Sequence, residues 1–108
     1  MADTNATDKA NLSAREDKFK EIFFVIHEEL TSASLEIEAN NVSITINSNN
    51  PDPTKVSIEV TDNVYRVIYW DGYAVNEYYD YQNFNKALKK FKKFSDKALT
   101  NIKKFGIK

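Results

Sequence analysis

The chain of 108 residues has no cysteine, two glycines, two prolines and a single histidine. Each shortage removes a class of chemistry. Without cysteine there is no disulfide framework and no thiolate metal site, a pattern that fits a reducing compartment. Gly72 and Gly106 are too few and too far apart for a P-loop or a dinucleotide-binding turn. His27-Glu28-Glu29 starts like the H-E-x-x-H zinc motif, but Thr31 stands where the second ligand belongs. The serines and threonines have no histidine partner at an informative spacing. No Asp-rich loop has calcium-binding spacing. The longest uninterrupted apolar run, Ile22 to Ile26, falls far short of the ~20 residues of a membrane span. MADTNATDKAN is polar and has no secretory h-region, so the expected location is the cytoplasm. The sequons at Asn5, Asn11 and Asn41 are then chance products of an Asn-rich composition. No catalytic residue, metal ligand or cofactor is expected, and the reading is of a protein that is not an enzyme.

Charge is present but unevenly placed. The net charge is −1, yet residues 1–85 hold 6 Lys/Arg against 15 Asp/Glu, or −9, and residues 86–108 hold 9 Lys against one Asp, or +8. Such asymmetry is a clue to partners.

The pattern along the chain predicts an α+β fold: an N-terminal helix, a five-stranded antiparallel meander and a long amphipathic C-terminal helix. Residues 1–11 read as a disordered tail and 12–108 as a single domain. Ser13 and Glu16 have capping-box spacing before Phe19, Ile22, Phe23, Ile26 and Leu30, which recur at helical period, so a helix is expected over 14–31. Period-2 alternation then predicts strands over 34–39, 42–47, 55–61, 64–70 and 73–79. Turns are expected at Asn40-Asn41, Asp62-Asn63 and Asp71-Gly72, the last being the strongest two-residue hairpin signal. Phe84, Leu88, Phe91, Phe94, Ala98, Leu99, Ile102 and Phe105 share a helical face, giving a helix over 84–105. Asn83 is placed as its N-cap and Gly106 as the left-handed C′ residue of a Schellman ending with Ile107.

Two-residue turns fix registers, and the registers sort side chains onto two faces. One face collects Leu35, Ile37, Val42, Ile44, Ile46, Val56, Ile58, Val60, Tyr65, Val67 and Tyr69, with Ala74, Asn76 and Tyr78 from the last strand. The other is acidic on strands one to three, through Glu36, Glu38 and Glu59, and apolar on strands four and five. There Ile68, Trp70, Tyr73, Val75 and Tyr79 form an aromatic patch, with Arg66 between Glu59 and Glu77. A helix, a second copy of the chain or a partner protein could cover the patch. The glutamates read as a solvated, partly paired surface rather than as an acid–base pair.

KALKKFKKFSDKALTNIKKF, residues 86–105, supplies the second candidate surface. Lys86, Lys89, Lys90, Lys93 and Lys97 lie opposite or beside the apolar stripe, and several stand at i,i+3 or i,i+4. Each like-charge pair costs a few tenths of a kcal/mol, so an acidic neighbour or partner is expected. The function expected is a small protein-binding or regulatory module, on the association that Asn- and Lys-rich domains without catalytic motifs are often inhibitors of phage or mobile-element origin. A single-stranded nucleic-acid binder, stacking bases on Trp70, Tyr73 and Tyr79, is the alternative. Against it stand the glutamates of the same face and the scarcity of arginine.

Overall fold

The structure, a computed structural model, describes residues 11–47, 53–71 and 76–106, with residues 105 and 106 described by backbone alone. A 3-10 turn, Leu12–Arg15, leads into helix α1, Glu16–Glu29. Five strands follow: β1, Ser34–Ile37; β2, Asn41–Ile46; β3, Thr54–Thr61; β4, Val64–Trp70; and β5, Asn76–Tyr81. Helix α2, Phe84–Asn101, closes the fold and runs into a π-helical turn, Ile102–Gly106. The strands form one antiparallel sheet in the order β1-β2-β3-β4-β5. The expected α+β class and its element order are thus those observed.

The helix starts follow side-chain chemistry. Asn11, expected in the tail, caps the first turn: its Oδ1 accepts from Ser13 N at 3.0 Å. The Ser13–Glu16 box does not form, because the chain begins to coil one step earlier and Leu12 is tied down. Leu12 is buried and its N–H donates to Ala39 O at 2.6 Å. Asn83 caps α2 as expected, its side chain accepting from Lys86 N at 3.0 Å. At the far end Gly106 closes the π turn, so the Schellman C′ assignment is replaced, and Ile107 lies outside the described residues.

The registers differ from expectation in an instructive way. At Asp62-Asn63 both residues have positive φ, 53° and 64°, the conformation a type I′ hairpin demands. Val60 therefore faces Tyr65, Ile58 faces Val67 and Val56 faces Tyr69, as the sequence predicts. Between β1 and β2 the chain reverses one residue earlier than Asn40-Asn41, with Ile37 opposite Val42. The slip in pairing is even, so every side chain keeps its face. Between β4 and β5 Trp70 pairs with Asn76 rather than with Tyr73. The described strand β5 is Asn76–Tyr81, not 73–79. This slip is odd, and a one-step change of parity moves every β5 side chain to the other face. Tyr79 and Glu77 go to the core side and Tyr78 to the other. Tyr73, Ala74 and Val75 lie outside the described residues.

Both helices pack on one face. Phe19, Ile22 and Ile26 of α1 and Phe84, Ala87, Phe91, Phe94, Ala98 and Leu99 of α2 share one core with Val42, Ile44, Val56, Ile58, Tyr65, Val67 and Tyr69. Phe19 stands edge-on to Phe84 and Phe91, at 6.2 and 5.2 Å between ring centroids. Such pairs add about 0.5–1.5 kcal/mol beyond their buried area. Tyr69 lies under Phe94, and its hydroxyl accepts from Asn101 Nδ2 at 3.1 Å, so this buried polar tip is satisfied.

Candidate functional site

No described element covers the second face of the sheet. Ile68, Trp70 and Val64 are half-buried there and Tyr78 is 55% exposed. The rows that cross the strands are Ser57, Ile68 and Tyr78; Lys55, Trp70 and Asn76; and Glu59, Arg66 and Asp80, with Val64 beside Thr61 at the end. Ser43 and Ser57 are buried although the face is open, because short side chains sit below the taller residues of neighbouring rows. The result is a sheet surface with an indole, a phenol and two aliphatic side chains around a low serine pair.

Polar contacts hold the rim. Arg66 was placed between Glu59 and Glu77 by the shorter turn; the observed register gives it Asp80 instead. Its Nε donates to Asp80 Oδ1 at 2.8 Å and its Nη2 to Oδ2 at 3.1 Å, a bidentate pair. The guanidinium also lies 4.3 Å from the centroid of the Tyr78 ring, which it orients. The hydrogen bond from Arg66 lowers the Asp80 pKa below the usual carboxylate range, and Asp80 in turn raises that of Arg66.

Of the five patch residues expected from sequence, Ile68 and Trp70 share this face, Tyr79 does not, and Tyr73 and Val75 lie outside the described residues. Tyr79 faces α2: its ring centroid is 6.0 Å from that of Phe94 and 4.3 Å from Lys90 Nζ. Tyr78, assigned to the core by the two-residue turn, takes its place. The signal for Tyr78 was the Tyr-Tyr pair itself, since one of two adjacent strand residues must face each side.

The lysines of α2 divide by partner. Lys97 Nζ donates to Glu77 Oε2 at 2.6 Å and lies 4.8 Å from the Tyr69 ring; the hydrogen bond to Glu77 raises its pKa. Lys90 caps Tyr79 and Phe94. Lys86, Lys89 and Lys93 are exposed and have no acidic partner among the described residues. Together with Lys90 and Tyr81 they line a groove of about 260 Å³ beside β5. Sequence reasoning found the four lysines but missed Tyr81, because it ended the strand at 79.

A larger depression, about 500 Å³, runs between the outer sides of the two helices, lined by Ile22, Val25, Leu88 and charges of both signs. His27 is exposed beside Phe23, and no cluster of three or more His, Asp or Glu exists among the described residues. No described helix is long and apolar enough to cross a membrane. Comparison with protein-family models, with curated proteins and with solved structures found no match to this chain.

Proposed function

We propose that the chain is a small protein-binding module whose docking surface is the open side of β3–β5, centred on Ile68, Trp70 and Tyr78. One observation carries the reading: two amphipathic helices pack on the same face of the sheet, leaving the aromatic half of the other face without a described cover. Contact sites favour tryptophan and tyrosine at the centre with a polar rim, and Glu59, Arg66 and Asp80 supply such a rim. A regulatory or inhibitory role, including one carried by a phage or mobile element, is consistent with a surface built for contact rather than for turnover. The nucleic-acid alternative has less support. Tyr79 turns away from Trp70 toward Phe94 and Lys90, so the expected stacking trio is not assembled on one face.

The test is capture of a partner by the immobilised chain, with Trp70→Ala and Tyr78→Ala compared against Phe24→Ala on the far side of the molecule. Partner retained by wild type and Phe24→Ala, and lost by the other two with circular dichroism unchanged, is the expected outcome. Equal retention by all variants contradicts it. Sedimentation of the isolated chain should show a monomer; a dimer dissolved by Trp70→Ala would assign the face to self-association instead.

A further inference from the structure

We infer that the free edge of β5, with the lysine groove beside it, is a second docking site that takes an extended acidic segment of a partner protein by strand addition. The inference rests on the reading of the chain as a protein-binding module and names the chemistry of a second contact.

Two independent features meet there. The first is the edge. β5 is the last strand of the sheet, and no backbone hydrogen bond outside β4 involves Asn76–Tyr81 among the described residues. Edges of natural sheets are usually shortened, covered or broken by proline. The opposite edge follows that rule, since β1 is only four residues long. β5 has six residues, three of them tyrosine and none proline. Its acidic residues are already neutralised, Glu77 by Lys97 and Asp80 by Arg66. An approaching carboxylate therefore meets little repulsion from the strand itself.

The second feature is the stripe. α2 runs antiparallel to β5 alongside this edge: Lys97 sits on Glu77, Lys90 over Tyr79, and Lys86, Lys89, Lys90 and Lys93 around Tyr81. Lys86, Lys90, Lys93 and Lys97 stand at i, i+4, i+7 and i+11, one line along the helix. Four helical residues rise about 6 Å, and alternate side chains of an extended strand recur about every 6.8 Å. A strand added to β5 with an acidic residue at every second position would thus present its carboxylates to this line of cations. The edge requires an occupant with amide N–H donors, which a nucleic-acid backbone lacks. Lysine beside the edge also repels basic strands and gives neutral ones no ion pairing, so the site selects by charge as well as by shape.

The experiment is fluorescence anisotropy at about 50 mM salt with a labelled peptide of alternating Glu and Thr. Its controls are the same peptide N-methylated at alternate amides and an oligothymidylate of equal length. Saturable binding is expected, weakened by salt, by N-methylation, and by about tenfold in the Lys86→Glu/Lys93→Glu double variant. Both lysines are exposed, so the variant should keep its circular dichroism. Trp70→Ala should bind the peptide normally, which separates this site from the open face. Absence of saturable binding, indifference to the lysine changes, or equal binding of the N-methylated peptide would overturn the proposal. Tighter binding of the oligothymidylate would overturn it in favour of a phosphate site.

Discussion

Individual side chains act here mainly through the neighbours the register gives them. Tyr69 is fully buried, and its hydroxyl depends on Asn101 at the end of α2. Asn101→Ala should leave that oxygen unpaired and lower stability by about 1–3 kcal/mol, read as a shift in the urea midpoint. Arg66 and Lys97 make opposite pH signatures. The Asp80 pKa is lowered in the fold, so its contribution is present above the unfolded value, about 3.9, and is lost as pH falls through the folded one. The Lys97 pKa is raised, so its contribution is present below about 10.4 and is lost as pH rises through the folded value. The stability gap between wild type and Asp80→Asn should therefore be constant from about pH 5 to 9 and close in acid. The gap to Lys97→Met should close in alkali instead. A gap for either variant that varies across neutral pH would show that some other group titrates there.

At the scale of elements, the sequence identified both helices, all five strands and the helix-two cap at Asn83. Local signals sufficed for these: helical spacing, alternation and a capping asparagine. Register was legible only where the turn chemistry was decisive. Asp62-Asn63 met the requirement for two positive φ values and its hairpin fell as expected. Asp71-Gly72 carries a stronger local signal, yet Trp70 pairs with Asn76 rather than with Tyr73. Pairing Tyr79 and Tyr81 with Val67 and Tyr65 places both rings on the side of α2, and Tyr79 stacks beside Phe94, a gain that a two-residue turn forgoes. Tertiary packing thus outweighed a local turn preference, and no local pattern announces that. The same packing makes α2 the element on which the fold depends. Phe91 is fully buried against Phe19, so Phe91→Ala should cost about 3–5 kcal/mol. Asn83→Ala, which removes only the cap, should cost about 1 kcal/mol. Thermal denaturation that ranked the two in reverse would contradict this division.

The described residues form a two-layer arrangement, with helices on one side of the sheet and none on the other. Amphipathic stripes showed from the sequence that α1 and α2 each need a sheet face, but not that they need the same one, because both faces of β4 are apolar. The charge split has a similar resolution. The basic helix and the acidic strands are partly reconciled within the molecule through Lys97–Glu77 and Lys103–Glu29. Among the described residues Lys86, Lys89 and Lys93 are exposed without an acidic partner, and they gather with Lys90 beside β5. Two surfaces of different chemistry therefore lie on opposite sides of one strand, an aromatic one and a cationic one. The docking surface depends most directly on the exposure of Trp70, the single tryptophan of the chain. Acrylamide quenching of its fluorescence in the native protein should reach a sizeable fraction of the value in urea, and Trp70→Ala should leave the unfolding midpoint nearly unchanged. Native emission that resists acrylamide until the chain unfolds, with a strongly destabilised Trp70→Ala variant, would show that the face is covered and that the docking surface does not exist.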